Sequence, residues 1–309
     1  MVELRKGEIN MNIFISGLLN IETTVKVKKF PIDYFPIDYP FFGVNSAVSG
    51  VGYNLTRAFK TLGDDVKLCS FIGDDNEAEI ILNTLKKNDI PTDGIIKTLK
   101  NTPTSVVLYD ESGKRQIYCD LKDIQEQNLY FDKGIKTTVD KCDIAVLCNI
   151  NFNRELIKNA KNLDTLIATD VHVLSDIDDE YNKDFMENSD ILFLSDENLP
   201  CAPEEFIQKL EDRYNNKIIV IGMGSKGAML LERDSGKIHK LEAYKNDNVV
   251  NTVGAGDALF SSFLHFYAKG ESALNSLKKA QIFASIKIGY NGASKGFSTE
   301  EEIEKAINK

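Results

Sequence analysis

The chain has 309 residues, of which 42% are hydrophobic and 27% charged, proportions ordinary for a water-soluble globular protein and enough for one large α/β domain. A net charge of −10 argues against a general nucleic-acid surface and against docking on anionic membranes. Any anion this protein binds must be held by local dipoles and a few cations or metal ions, not by the overall field.

Short apolar runs alternate with amphipathic stretches over most of the length. In chain order, Ile13–Ser16 predicts a strand, Asn54–Leu62 a helix, Val66–Ile72 a strand and Ala78–Lys87 a helix. The strands Ile144–Cys148, Thr165–Thr169, Ile191–Leu194 and Ile218–Ile221 come next, interleaved with helices over Arg154–Lys161 and Pro203–Tyr214. Ala258–Lys269, Glu271–Tyr290 and Thr299–Asn308 close the chain as helices, the last with a capping box of Ser298 and Glu301. This rhythm predicts a doubly wound, mostly parallel sheet flanked by helices on both faces. Two segments break it. Residues 23–48 and 95–121 have strand composition and a turn signal at Glu111-Ser112-Gly113-Lys114, and predict a small β-sheet lid on a single domain spanning 1–309. The first contains the tandem Phe30-Pro31-Ile32-Asp33-Tyr34 and Phe35-Pro36-Ile37-Asp38-Tyr39, too short for a repeat architecture.

Cys69, Cys119, Cys142, Cys148 and Cys201 are odd in number and form no C-x-x-C pair, so they read as reduced, mostly buried thiols. No apolar h-region succeeds the charged N-terminus, and no apolar run approaches the roughly 20 residues of a membrane span. The expected location is the cytoplasm. His172, His239 and His265 are scattered and offer little to a histidine metal site or a Ser-His-Asp triad.

The most informative stretch is Asn251-Thr252-Val253-Gly254-Ala255-Gly256-Asp257, running straight into a helix. A glycine-rich turn at a helix N-terminus aims several backbone N–H groups at one spot with the positive dipole end behind them, a site for phosphate. A carboxylate there repels a phosphate and makes sense only if it must take a proton from a hydroxyl attacking that phosphate. Asp257 is thus the candidate base, kept ionised by the dipole, and the amides of Gly254, Ala255 and Gly256 are the candidate anion hole. An Asp at a helix start is more often a simple cap, but the Gly-Ala-Gly before it lets the backbone approach a ligand. Gly222-Met223-Gly224-Ser225-Lys226-Gly227 has the spacing of a dinucleotide fingerprint. Residues 228–236 read as a strand and a hairpin turn at Asp234-Ser235-Gly236, where that fingerprint needs a helix in the first βαβ unit. The glycine segment reads instead as a loop over nucleotide phosphates, with Lys226 reaching toward them. Gly50, Val51 and Gly52 with Asn54 allow close backbone approach to a polyhydroxylated ligand, the Asn54 amide offering a donor and an acceptor.

Taken in order, these motifs resemble the ribokinase-like (PfkB) carbohydrate and nucleoside kinase family, whose C-terminal signature is usually Asp-Thr-x-Gly-Ala-Gly-Asp. The resemblance covers nearly the whole chain. Asn20 and Glu22 stand where the family holds sugar hydroxyls, with Glu22 in place of the usual Asp. Ser49-Gly50-Val51-Gly52-Tyr53-Asn54 stands for Gly-Gly-x-x-x-Asn, and Phe71-Ile72-Gly73-Asp74-Asp75 also matches. By the resemblance, Ser195, Gly222, Gly224, Ser225, Gly227, Thr252 and Asn291 bind ATP. The segment from Gly289 to Gly296 lines an adenine pocket and a monovalent-cation site.

The family's Asn-x-x-Glu motif, tied to Mg²⁺, falls at Ser195-Asp196-Glu197-Asn198. Both marked positions are changed, leaving Asn198 as a candidate metal contact through water, with Asp196 and Glu197 nearby. Asn251 stands for an acid, and His172 comes after the strand-end Asp170 where relatives carry Asn. The resemblance implies ATP and Mg²⁺ as cofactors, with K⁺ a further candidate. It also implies a sugar or nucleoside substrate, no nucleic-acid or membrane partner, and a homodimer through the lid. The altered positions 195–198 and 251 leave one alternative, a non-catalytic sugar- or nucleotide-binding regulator, which the intact Asp257 opposes.

Overall fold

A computed structural model describes residues 10–246 and 248–307. The chain starts with β1 (Asn12–Ser16) and crosses into β2 (Asn20–Lys26) and β3 (Val44–Ser49) before α1 (Val51–Leu62). β4 (Asp65–Ile72), α2 (Asn76–Lys87) and β5 (Ile95–Lys97) come next, then β6 (Thr104–Tyr109) and β7 (Arg115–Asp120). The middle alternates regularly: α3 (Lys133–Val139), β8 (Ile144–Leu147), α4 (Arg154–Ala160), β9 (Leu166–Val173), α5 (Lys183–Asn188), β10 (Ile191–Ser195), α6 (Pro203–Arg213) and β11 (Ile218–Gly222). β12 (Ala228–Glu232) and β13 (Lys237–Leu241) form the expected hairpin, and α7 (Ala255–Ala268), α8 (Ala273–Lys287) and α9 (Glu300–Ile307) end the fold.

Nine strands make one sheet in the order β13-β12-β11-β10-β9-β8-β1-β4-β5, parallel from β11 to β5 and antiparallel through β12 and β13. Both faces are covered, and the strands show why. Successive side chains point to opposite faces. Ile13, Ile15, Ile144, Val146, Ile218 and Val220 join one core with Leu55 and Phe59 of α1, Ile81 of α2, Phe263 of α7 and Leu277 of α8. Their neighbours Phe14, Ala145, Leu147, Ile219 and Ile221 join a second core with Leu156 of α4, Phe185 of α5 and Phe206 of α6. A strand buried on both sides reads as a continuous apolar run, and these do.

A second sheet, β3-β2-β6-β7, stands apart from the large one. It is built from the two segments that break the helical rhythm. Ile95–Lys97, at the start of the second segment, pairs instead with Ser70–Ile72 of β4, so that the small sheet begins only at Thr104. Its outer strands carry exposed apolar side chains, including Val44, Ile117 and Tyr118, and the loop between β2 and β3 exposes Tyr34, Tyr39, Phe41 and Phe42.

Three further differences have local causes. α1 starts at Val51, three residues earlier than the apolar spacing suggests, because Gly50 sits at φ 98° and ends the strand. α9 is capped one residue later than expected: the Thr299 amide donates to Glu302 Oε2 (2.8 Å) and the Glu302 amide to Thr299 Oγ1 (3.3 Å), while Ser298 is buried. The helix from 271 shortens to Ala273–Lys287, with Ser272 Oγ accepting from the Asn275 amide.

Candidate active site

The helix N-termini of α1 and α7 meet near the carboxyl ends of the parallel strands. Gly254 takes a left-handed conformation (φ 78°) as the residue before α7, which only glycine adopts without strain. A Cβ there would also stand 2.6 Å from the Ala293 carbonyl oxygen. The turn is therefore pressed against Ala293, and the Ala255 amide, expected to face an anion, instead bonds the Thr252 carbonyl oxygen at 3.1 Å. Asp257 lies in the first turn of α7, partly buried. Across from it, Asn54 in the first turn of α1 is buried and donates Nδ2 to Asp257 Oδ2 at 2.8 Å. The Asn54 side chain thus fixes the carboxylate, a role beyond the ligand contact expected of it. Its Oδ1 remains buried without a partner.

Burial pushes the Asp257 carboxyl above the ordinary carboxylate range. Neighbouring His172 and the Asn54 amide oppose that rise, Asp170 adds to it, and Lys287 opposes it. Burial thus works against the ionised form that the helix dipole was expected to favour. His172, at φ 60°, holds its Nδ1 3.6 Å from Asp170 Oδ2, and its amide donates to Asp170 Oδ1 at 2.8 Å.

Glu22 reaches the same cluster from β2. Burial raises its carboxyl, a hydrogen bond from Ser49 lowers it, and the Asp257 charge raises it again. Asn20 is buried and donates Nδ2 to Ser105 Oγ (2.9 Å), leaving its Oδ1 unpartnered. Gly50 and Gly52 have a structural reason independent of any ligand. A Cβ on Gly52 would stand 2.8 Å from the backbone of Gly17, and one on Gly50 would strike the Leu18 carbonyl. The Gly52 amide bonds Leu18 O at 3.0 Å, so these glycines seat α1 on the link between β1 and β2, with Val51 partly buried beside them.

The other glycine loop leaves β11. Gly222 ends the strand, Gly224 takes φ 54° and Gly227 φ 96°. A Cβ on Gly227 would strike the Leu241 carbonyl oxygen, so the close approach there is to β13. Ser225 lies exposed at the tip. Lys226 pairs with Asp196 (3.4 Å), tying this loop to the one after β10. Ser195 Oγ accepts from the Glu197 amide (3.2 Å), and Asn198 is exposed at φ 66°. Asn291 is exposed on the far side of the turn. Asn251 Oδ1 accepts from the Val253 amide at 2.8 Å, and Thr252 Oγ1 takes a contact from Arg115 Nη1 of β7 at 3.4 Å. Among the described residues, no group of three or more His, Cys, Asp or Glu side chains is placed to hold a metal. Cys69, Cys142 and Cys148 are buried, and all five cysteines are free.

Two residues of this cluster are not evident from the sequence. Lys287, on the last turn of α8, is 0% exposed, and its ammonium bonds the Val253 carbonyl oxygen. Burial pushes it down to about 8, against the pull of Asp257 and Glu22. A lysine at a helix C-terminus is ordinarily a dipole complement, which hides it. A signal is present all the same: Ala273, Leu277, Ala280 and Phe283 are buried positions of α8, and 287 continues their spacing. Arg115 reads from sequence as the flank of a hairpin, and only the pairing of the small sheet brings it to Thr252.

A doubly wound sheet with a second small sheet and two converging helix N-termini is a ribokinase-like architecture. A microbiome-derived acarbose kinase shares it at a TM-score of 0.86 and 21% identity, over 97% of this chain and 100% of its own. The nucleoside kinase of Methanocaldococcus jannaschii, an archaeal member of the ribokinase family, shares it at 0.78 and 19%, over 96% and 98%. In sequence, the ribokinase of Dictyostelium discoideum is 23% identical over 325 aligned residues, 94% of this chain and 99% of its own. Residues 12–300 match the pfkB family of carbohydrate kinases. The chain belongs to that family and is a sugar or nucleoside phosphotransferase. No helix among the described residues is long and apolar enough to cross a membrane.

Proposed function

We propose that this enzyme transfers the γ-phosphoryl group of ATP to a hydroxyl of a sugar or ribonucleoside, with Asp257 as the base. The observation that carries this reading is the Asp257 carboxylate, raised by burial and held by Asn54, at the head of a helix whose preceding turn is stripped of side chains. A base works best with a pKa moved toward the working pH, and desolvation moves Asp257 in that direction. The acceptor hydroxyl gives its proton to Asp257 as its oxygen bonds to the γ-phosphorus. The bond from that phosphorus to the β,γ-bridging oxygen breaks, and ADP leaves. The amides of Gly254 and Gly256 take up the charge gathered on the equatorial oxygens, while the Ala255 amide holds the turn itself by its bond to the Thr252 carbonyl oxygen at 3.1 Å.

The unpartnered buried oxygens of Asn20 and Asn54 supply acceptors that substrate hydroxyls complete, with Glu22 beside them. Such orphan acceptors carry a desolvation cost unless a ligand satisfies them. The loop 222–227 and Thr252 take the nucleotide phosphates, with Ser195 and Asn291 at the margins. Magnesium would neutralise the phosphates. It binds through one or two carboxylates plus phosphate oxygens and water, a donor set that Asp196 and Glu197 fit. The small sheet acts as a lid, and Arg115 is the residue that carries it to the turn. Closure keeps water from intercepting the phosphoryl group.

The deciding experiment is ADP release from Mg²⁺-ATP across ribose, fructose, 2-keto-3-deoxygluconate, adenosine, cytidine, inosine and pseudouridine, with Asp257→Asn alongside. One acceptor that stimulates release in the native enzyme and not in the variant establishes both reaction and substrate class. Release that no acceptor changes refutes the reading.

A further inference from the structure

Lys287 is the one lysine wholly removed from solvent among the described residues, and it takes part in none of their ion pairs. An ammonium so placed is costly unless its donors and charge are used. One donor is spent on the Val253 carbonyl oxygen, in the peptide that leads into the anion-holding turn. The charges facing it are the carboxylates of Asp257 and Glu22 and the guanidinium of Arg115. Lys287 thus reaches from α8 to the peptide that leads into the turn, with Asp257 the first of the charges that act on it.

The surrounding backbone shows how the position is fixed. The amides of Val250 and Asn251 both bond the Ile288 carbonyl, at 2.8 and 3.0 Å. Gly254 is pressed on Ala293. The segment leading into the turn is therefore clamped against the end of α8, and Lys287 projects from that end into the space between. The family resemblance places a monovalent cation beside residues 251 and 289–296, and the residues here do not fit one. Position 251 is a neutral asparagine whose Oδ1 is spent on the Val253 amide. The Val253 carbonyl that faces the gap already holds an ammonium.

We propose that the Lys287 ammonium is a tethered cation beneath the phosphate-holding turn, and that it makes phosphoryl transfer independent of added potassium. It acts as a positioning residue: it anchors the Val253–Gly254 peptide and sets a positive charge next to the turn. Being part of the chain, it costs no binding equilibrium and no dehydration step in each turnover. This inference rests on the kinase reading.

The test measures Mg²⁺-ATP binding by calorimetry, with ADP release beside it, in choline, sodium and potassium chloride at one ionic strength. The proteins are the native enzyme, Lys287→Met and Lys287→Ala. The native enzyme should bind and turn over alike in all three salts. Lys287→Met should bind Mg²⁺-ATP about tenfold more weakly or worse in all three salts. Lys287→Ala should regain binding when potassium or ammonium is added. Native binding that potassium strengthens about tenfold overturns the inference and leaves the kinase reading intact. Native-like binding by Lys287→Met overturns it as well. A native enzyme that binds no nucleotide in any salt overturns both. Should neither variant fold, the salt series on the native enzyme decides alone.

Discussion

Asp257→Asn tests the centre of the mechanism. Asparagine keeps the shape and can still meet the Asn54 amide through its own oxygen, so the junction between α1 and α7 survives. What goes is the proton acceptor. General-base participation contributes on the order of 10²–10⁴-fold, or about 3–5 kcal/mol of barrier. The variant should lose that much turnover with little change in Mg²⁺-ATP affinity. Stability should move the other way. Burial raises the folded pKa of this carboxyl, so its ionised form destabilises the fold at neutral pH. That penalty fades as pH falls through the raised folded value toward the ordinary carboxylate range. Asp257→Asn should therefore melt higher than native at pH 7, and the difference should shrink toward pH 4. The native kcat/KM should fall on the acid side as Asp257 gains its proton, and the residual rate of the variant should lack that limb. Turnover of Asp257→Asn within about threefold of native would refute the reasoning, since no general base is worth so little.

Asn54→Ala removes the hydrogen bond that lowers Asp257, so the acid limb of kcat/KM should move to higher pH, read from a pH–rate profile. His265 is buried between Asp64 (2.7 Å) and Glu300. Burial works to lower its pKa, but the two carboxylates outweigh burial and raise it. His265→Gln should cost about 3–5 kcal/mol by denaturant unfolding, as for any broken buried pair. Because a raised histidine stabilises below its unfolded value and loses that as pH rises through the folded one, the cost should be largest near pH 6 and narrow in alkali. Gly227→Ala forces a Cβ into the Leu241 carbonyl at φ 96° and should destabilise by about 1–3 kcal/mol or more, seen as a lowered Tm. Arg115→Gln should raise KM for the acceptor and increase acceptor-independent ATP hydrolysis, since Arg115 links the small sheet to Thr252.

The fold is legible in the sequence because the large sheet is buried on both faces, which writes each strand as an unbroken apolar run such as Ile218–Ile221 between amphipathic helices. α3 and α5 are not. Each is short, six or seven residues, with too few apolar positions to show a period. The turn at 254–257 announces itself because glycine and aspartate at a helix start are chemically specific. Asn54 reads from sequence as a ligand contact or a helix cap, because sequence cannot show that α1 and α7 converge. Lys287 is invisible for a related reason. A charged residue is read as solvated until tertiary packing closes over it, and its only signal is that 287 continues the buried spacing of α8. Arg115 depends on strand pairing and on a contact across more than a hundred residues of chain.

The charges around the turn resolve a difficulty that the composition raises. A protein with ten excess negative charges gathers Asp257, Glu22 and Asp170 near the turn at which the proposed transfer takes place. Lys287 is bonded to the peptide leading into the turn, Arg115 is brought by the small sheet, and His172 stands beside Asp170. Two cations stand among three carboxylates, so the turn is less negative than the acidic chain around it. What remains to favour phosphate is directional: the amides at the head of α7 and the dipole behind them. Such a site discriminates by geometry more than by charge. A free anion gains little from it, whereas a phosphoryl group in line with a hydroxyl on Asp257 meets the amides and the base together. In the proposed reaction this arrangement suits binding that strengthens as the transition state forms, with the Lys287 ammonium engaged by the Val253 carbonyl oxygen.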